Sequence, residues 1–542
     1  MKWRSLAALL LMIPLAGCLD GGDEGTGDGQ DLAAPFGLDA LSAVRFDILP
    51  VVEELLPASD GVQLHHAVYR PDTDEPVPVF INFSPYWGDT AEEGGDPFAR
   101  YMVSEYVPRG YAVVLAAIRG TGHSGGCFEI AGDREVQDLY EVIDHYANVD
   151  WSNGNIGVGG KSYDSTTQNG LIAKNPHPAL KAVFHVSGIT DMYAYNYYHG
   201  VPSVNGLAFT PRYYASFTLD EYMEPQDEDA ASLLRLVEDV ACPEAVGHVA
   251  SGTGSALHGM KDAYWIERDW KRSIADSDWE GGLFFVHGLQ DWNVKPDHIT
   301  DWVERLPDGI EVTGWLHQWQ ESGTGHVYPM RTDWNLTMLR WLDHWLKGID
   351  TGLLGEPRYE VQGTDGLWRA TETWPLPADQ WVTLDPDTDN DRGGFAIPLF
   401  SFNETLRYSG SPILNITATS LNPDPVISAT LWSINPGTGE LVWMNEAVLR
   451  ATLRDGLEGP PSPVLPGVPV EYSLTFYPQE DVLPPGHIWI VSVGDAPTRT
   501  FAPLAPTGVT YDLESATIHL PLVMGDEDLM PVQPTPMRCF AC

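Results

Sequence analysis

The stretch GVGGKSYDST, residues Gly157–Thr166, decides how the rest of the chain is read. Gly-Lys-Ser can close a phosphate-binding loop or form the sharp turn that lifts a nucleophilic serine above a sheet. A phosphate loop needs a glycine five residues before the Gly-Lys pair and a strand ahead of it. That position is Asn155, Gly154 falls one place too early, and the strand candidate Ile156–Val158 would lie inside the loop. The alternative is a strand, then Gly160-Lys161-Ser162-Tyr163, then a helix. A nucleophile elbow requires a small residue two places before the serine, because the backbone turns too tightly for a side chain there. Gly160 meets that requirement; the usual second glycine, two places after, is Asp164. An acid in that place is compatible with the first turn of a helix.

A serine hydroxyl is a poor nucleophile without a base, and the base needs a carboxylate to fix its tautomer. In the α/β-hydrolase order the acid and then the histidine follow the serine. GGLFFVHGLQDWNV supplies an apolar strand followed by Asp291, and WLHQWQESGTGHVYP places His326 in a glycine-rich loop 35 residues later. His287 and His317 compete for the role but sit at or beside strand ends, and His344 lies in the helical segment RWLDHWLKG.

Working outward, Val62–Tyr69, Val77–Phe83, Ala112–Ala117, Ile156–Val158, Ala182–Val186 and Gly282–Val286 read as strands, with a helix over Arg134–Ala147. Strands alternating with helices predict a mostly parallel sheet covered on both faces. From Asp191 to Trp270 the strand signal disappears, which predicts a helical cap inserted over about residues 191–275. After about Pro375 the pattern becomes all-β: Ile413–Thr419, Val426–Ile434, Leu441–Leu449, Val470–Phe476 and Ile488–Val493, punctuated by Pro-Gly and Asn-Pro turns. That predicts a β sandwich or jelly roll. The acidic run Asp385–Asp391 at the junction lacks the glycine placement of a calcium loop and reads as a solvated linker. No metal site and no cofactor are predicted.

The 542 residues carry 30 basic and 76 acidic side chains, a net charge of −46. Such a surface is a poor partner for nucleic acid and suits high ionic strength, where screening relieves self-repulsion. Lys2, Arg4 and the apolar run Leu6–Leu15 read as a signal peptide. The run ends in Leu-Ala-Gly-Cys18, which predicts lipid attachment at Cys18 and a Gly/Asp-rich tether over 18–31. Removing residues 1–17 deletes Lys2 and Arg4 and takes the net charge to −48. The only membrane contact expected is through that anchor, on an exported protein at the outer face of the cell membrane. The remaining cysteines, Cys127, Cys242, Cys539 and Cys542, are even in number and permit two disulfides. Cys127–Cys242 with a local Cys539–Cys542 bridge is the preferred pairing.

The segments GKSYDST, HGLQDWNVKPDH, GHVYP followed by WLDHWLKG, and RGTGHSGG at Arg119–Gly126 together resemble the X-prolyl dipeptidyl-peptidase and cocaine-esterase family of serine hydrolases. Two positions depart from its pattern: Ser165 stands for the last glycine of the elbow, and Ala117 for an acid before Arg119. The resemblance spans roughly residues 55–525. It implies an α/β-hydrolase fold with an inserted helical cap over 32–379, a jelly roll over 380–530 and a short tail over 531–542. It also implies an oxyanion site built from the Tyr86 hydroxyl, in INFSPYWGD, and the Tyr163 backbone N–H. The substrate would be a peptide or a small ester or amide. Lys161 beside the serine favours the peptidase branch, which cleaves after an N-terminal X-Pro. Glu221, Glu224 or Asp227 would then be candidates to hold the substrate amine, with a solvated surface the alternative, and Trp87, Trp292 and Tyr197 candidates to line a proline pocket, with core packing the alternative for each. A carboxylesterase or amidase on the same scaffold is the alternative, and an inactive surface-tethered binding protein a remote third.

Overall fold

The computed structural model describes residues 41–86, 97–203, 258–319, 325–378, 380–384, 396–401, 405–494, 501, 508–523 and 530. Its first unit is built on a ten-stranded sheet. The strands are β1 (Val52–Pro57), β2 (Gln63–Tyr69), β3 (Val77–Ser84), β4 (Ala112–Ala117), β5 (Ser152–Lys161) and β6 (Leu180–Val186). A two-residue hairpin follows, β7 (Tyr197–Tyr198) with β8 (Val201–Pro202), apart from the sheet. The sheet resumes with β9 (Gly281–Gly288), β10 (Ile310–His317), β11 (Tyr359–Gln362) and β12 (Trp368–Thr371). The order across it is β1-β2-β4-β3-β5-β6-β9-β10-β11-β12. Every pairing from β4 to β11 is parallel, and the outer pairs β1–β2, β2–β4 and β11–β12 are antiparallel.

A parallel sheet must hide both faces, because its crossovers lay helices on each side. In β4, Ala112, Val114 and Ala116 point into one core while Val113, Leu115 and Ala117 point into the other. The first core is closed by helices α2 (Asp133–Ala147) and α3 (Thr167–Lys174). Val136, Leu139, Ile143 and Tyr146 of α2 recur at helical spacing and are buried there. The second core is closed by α1 (Pro97–Tyr106) and by a tryptophan-rich helix, Trp334–Lys347, whose Trp334, Met338, Trp341 and Leu342 are buried.

β5 runs well beyond the expected Ile156–Val158. Its glycines conceal it in the sequence, but they admit bulky neighbours: a Cβ on Gly159 would lie 2.4 Å from Phe184 Cβ, and one on Gly157 would lie 3.1 Å from a Leu346 methyl. β1 and β10 give no apolar run because Glu53 and Glu54 lie on an edge strand and polar residues interrupt β10. In the expected cap, short helices α4 (Met192–Asn196) and α5 (Ala263–Glu267) flank residues 204–257, which lie outside the described residues. The β7–β8 hairpin is one departure from the expected absence of strands there.

The C-terminal unit is all β. One sheet runs β19-β16-β22-β15-β20 with β13 on β22, and a second runs β14-β21-β17-β18. These strands are β13 (Gln380–Leu384), β14 (Ala396–Ser401), β15 (Leu406–Gly410), β16 (Ile413–Ser420), β17 (Val426–Ile434), β18 (Leu441–Arg450), β19 (Val470–Thr475), β20 (Gln479–Leu483), β21 (Ile488–Val493) and β22 (Val509–Leu522). Leu414, Ile416 and Ala418 of β16 alternate inward with the period of two that a half-buried strand requires, and they meet Leu431, Trp489 and Val491 from the other sheet. The molecule is therefore an α/β-hydrolase fold followed by an all-β domain.

Candidate active site

Ser162 sits where β5 ends and a single 3-10 turn, Ser162–Ser165, leads into α3. Its φ is +61°, in the left-handed region that side chains avoid. Holding a non-glycine residue there costs about 1–3 kcal/mol and persists only where the surroundings fix it. They do so here: the Ser162 carbonyl accepts hydrogen bonds from Ser165 Oγ at 3.1 Å and Thr166 Oγ1 at 2.9 Å. Gly160 is required by space, since a Cβ there would lie 2.3 Å from Asp164 Cβ and 2.5 Å from Asn82 Nδ2. Ser162 itself is partly exposed, whereas Tyr163, Asp164, Ser165 and Thr166 are buried.

Asp291 lies just beyond the C-terminal end of β9 and is completely buried. Its Oδ1 accepts from the backbone N–H groups of Asn293 at 2.9 Å and Val294 at 3.0 Å. Its Oδ2 is 2.8 Å from His326 Nδ1. Burial by itself would raise this carboxyl, but the charge and hydrogen bond of His326, the nearby His287 and the Asn293 N–H hold it below the usual carboxylate range. The approach of the two loops depends on Gly325, with φ +68°: a Cβ there would lie 2.1 Å from Gln290 O and 2.6 Å from Asp291 N. The other histidines have different neighbours. His287 Nε2 is bonded to Val294 O at 2.8 Å, and buried His317 stacks on Trp319. His344 lies on the Trp334–Lys347 helix, its ring edge-on to Trp345.

Tyr86 follows β3 by two residues, and its N–H donates to Ser84 Oγ at 3.0 Å. Tyr163 points its hydroxyl away from the turn, to Glu135 at 3.1 Å, and its N–H belongs to the turn that Ser162 opens. Lys161 lies over the Tyr328 ring. Trp292, expected to line a pocket, is instead 8% exposed and packed edge-on against Trp443 at 4.5 Å, in a cluster with Tyr198, Tyr477 and Phe501. Apolar burial between the two units claims it. Tyr197 is also buried, stacked on Tyr193 at 4.9 Å, but it lines a cavity. Cys127 is disulfide-bonded. Cys18, Trp87, Glu221, Glu224, Asp227, Cys242, Cys539 and Cys542 lie outside the described residues.

Sequence reasoning missed the residues that brace these groups. Besides Ser84 and Asp164, the second unit reaches into the acid loop: Gln479 Nε2 donates to Leu289 O at 2.5 Å, and Gln290 Nε2 donates to Gln479 Oε1 at 3.0 Å. A distant glutamine has no local signal that could reveal this. A cavity of about 380 Å³ is lined by Asp191, Tyr197, Lys261, Asp269, Lys271 and Asp297, among others, and by none of Ser162, Asp291 and His326. Lys261 bridges Asp191 at 2.7 Å and Asp269 at 2.6 Å. Asp297 Oδ1 is buried with no hydrogen-bond partner among the described residues. Burial, opposed by Lys271, pushes the Asp297 carboxyl up to about 7. Among the described residues, no three His, Cys, Asp or Glu side chains are grouped to hold a metal ion.

Residues 60–323 match the model of the X-Pro dipeptidyl-peptidase (S15 family), and residues 376–519 match that of the X-Pro dipeptidyl-peptidase C-terminal non-catalytic domain. A Bacillus cereus protein named "Putative Xaa-Pro dipeptidyl-peptidase" is 26% identical over 525 residues, covering 84% of this chain and 86% of its own. The cocaine esterase of a Rhodococcus species is 28% identical over 359 residues, 60% of each chain. A CocE/NonD family hydrolase from Staphylococcus aureus has the same fold, with a TM-score of 0.70 over 89% of this chain and 97% of that one at 17% identity. With the elbow, the buried acid–histidine pair and both units matched, the chain belongs to the X-Pro dipeptidyl-peptidase and cocaine-esterase family, and it is a serine hydrolase.

Proposed function

We propose that the protein releases N-terminal X-Pro dipeptides from peptides through an acyl-enzyme on Ser162. The observation that carries the acyl-enzyme step is the 2.8 Å bond from His326 Nδ1 to a carboxylate whose other oxygen is already held by two backbone N–H groups. That bond keeps the Nδ1 proton in place, which makes Nε2 the ring nitrogen that accepts the serine proton. Ser162 Oγ attacks the scissile carbonyl and gives its proton to His326 Nε2. The carbonyl oxygen becomes an oxyanion, met by the Tyr86 hydroxyl and the Tyr163 N–H. His326 then returns the proton to the leaving nitrogen as the C–N bond breaks. Water, deprotonated by His326 Nε2, adds to the acyl carbon; the ester bond to Ser162 Oγ then breaks, that oxygen takes the proton back from Nε2, and the dipeptide leaves as the free acid.

A dipeptidyl-peptidase needs a carboxylate for the substrate's free amine. Asp297, six residues after Asp291 and lining a cavity with one unpartnered oxygen, supports that requirement among the described residues. The two matched peptidase models and the Bacillus cereus relative support the same branch. The Rhodococcus relative favours a second reading, a carboxylesterase with the same three residues. The two readings separate on paired substrates. A peptidase should cleave Gly-Pro-p-nitroanilide and turn over its N-acetylated form about a hundredfold or more slowly, because acetylation leaves a buried acid unpaired. Rapid hydrolysis of neutral p-nitrophenyl esters with no cleavage of any free X-Pro anilide would remove the peptidase reading. Loss of fluorophosphonate labelling in Ser162→Ala tests the nucleophile in either case. Export and lipid anchoring at Cys18 belong to the same proposal, supported by the lipobox-like LAGC. Wild-type protein should partition with membranes and Cys18→Ser should not; equal solubility of the two would remove the anchor.

A further inference from the structure

The residue two places after Ser162 is a buried aspartate where the elbow pattern has a small residue, and it has found a specific partner. Ser84 Oγ donates to Asp164 Oδ1 at 2.5 Å, and the same oxygen accepts the Tyr86 N–H at 3.0 Å. Asp164 is 3% exposed and Ser84 fully buried. A serine hydroxyl has a single proton. A serine that accepts an N–H two residues on is a common local turn, and alone it would leave that proton free to rotate. Here the carboxylate takes the proton, so the lone pairs of Ser84 Oγ are turned toward the Tyr86 N–H.

A second bond runs parallel to the first. Asn82 lies two residues before Ser84, on the same face of β3. It donates from Nδ2 to Gly159 O at 2.8 Å, and the missing side chain of Gly160 is what lets Asn82 and Asp164 approach from either side. The end of β3 is thus tied to the elbow both before and after the serine.

We infer that Asp164 is a positioning residue for the oxyanion tyrosine. Through the Ser84 hydroxyl it fixes the backbone of Tyr86 relative to Ser162, so the nucleophile and the group that meets the oxyanion move as one body. The inference rests on the oxyanion role proposed for Tyr86. It concerns this chain's own residues, since a glycine or an aliphatic side chain in place of Asp164 could not take the Ser84 proton.

A double-mutant cycle tests it, using whichever of Gly-Pro-p-nitroanilide or a neutral p-nitrophenyl ester the full-length protein turns over. Tyr86→Phe should lower kcat about 10²–10³-fold, the cost of one oxyanion donor. Asp164→Ala should lower kcat about tenfold or more with KM changed less than about twofold, because the lost contact acts in the transition state. In the Tyr86→Phe background the same Asp164→Ala change should cost less than about twofold, since the group it positions has gone. Asp164→Asn keeps an acceptor oxygen for Ser84 and should restore most of the activity. Ser84→Ala, which leaves Asp164 in place, reads the same coupling with Tyr86→Phe should Asp164→Ala fail to fold. Additive losses in both cycles, or no rescue by asparagine, would overturn the positioning role. A Tyr86→Phe enzyme with unchanged kcat would instead overturn the oxyanion reading beneath it.

Discussion

Replacing Asp291 by asparagine removes one charge and almost no volume, and the structure fixes which way the new amide must face. The two backbone donors of Asn293 and Val294, at 2.9 and 3.0 Å, both meet Oδ1. An asparagine keeps both bonds only by placing its carbonyl oxygen there. Its NH₂ group must then occupy the position of Oδ2, 2.8 Å from His326 Nδ1. Two donors cannot share that contact, so the imidazole moves its proton to Nε2 and presents Nδ1 as the acceptor. Nε2 can no longer accept the Ser162 proton. The wrong tautomer at a serine hydrolase histidine costs about 10⁴ in kcat, or ~5.5 kcal/mol of transition-state stabilisation. The fold should be little affected, because the buried backbone donors stay paired. The assay is hydrolysis of a p-nitrophenyl ester or X-Pro anilide, run beside denaturant unfolding of the same preparation. An Asp291→Asn enzyme with more than about a tenth of wild-type kcat would refute the tautomer argument. So would a loss of activity that merely tracks a loss of stability.

Other expectations follow from the geometry. Gly160→Ala forces a methyl group within 2.3 Å of Asp164 Cβ, so it should destabilise by about 1–3 kcal/mol and slow fluorophosphonate labelling of Ser162 at least roughly tenfold; unchanged labelling would mean the elbow relaxes freely. Asp481 is fully buried in the C-terminal unit, accepts the Tyr408 hydroxyl, and is pushed up to about 7 by burial, with Glu480 alongside. The unfolded chain loses that proton near pH 4 and the folded chain only near 7, so the contribution of Asp481 to stability should fall across this window and level above it. Asp481→Asn should therefore match wild type near pH 4 and exceed it by up to about 4 kcal/mol above pH 7; a difference independent of pH would contradict the assignment. With 76 acidic against 30 basic side chains, Tm should rise from low to molar sodium chloride as screening relieves repulsion, and a flat or falling curve would count against it.

The parallel core was legible because its strands are buried on both faces: β4 and β9 are nearly unbroken apolar runs, and an apolar run survives translation into one dimension. β5 was legible only in its middle. Its glycines are chosen by Phe184 on the neighbouring strand and Leu346 on the Trp334–Lys347 helix, which no local window contains. Edge strand β1 and the polar-interrupted β10 failed for the same reason, since their partners and not their composition define them. At the site, chain order and glycine content, both readable without the fold, singled out Asp291 and His326, and the structure brings these two within 2.8 Å. The bracing groups could not. Ser84 and Asp164 are 80 residues apart, and Gln479 lies 190 from Leu289. Trp292 shows the converse difficulty: a pocket wall and core packing are both open to an aromatic read from sequence, and the structure places it in a packing cluster.

The hydrogen bonds from Gln479 to the acid loop change what the C-terminal unit is for. The matched family describes its counterpart as non-catalytic. Here it works as a buttress, fastened to Leu289 and Gln290 immediately before Asp291 and backed by Trp443 on Trp292. An engineer who trimmed the chain to its hydrolase half would take these braces from the residues just before the carboxylate. Loosening the C-terminal β sheets would release the same two residues, so the acid loop of one unit is held in part by the integrity of the other.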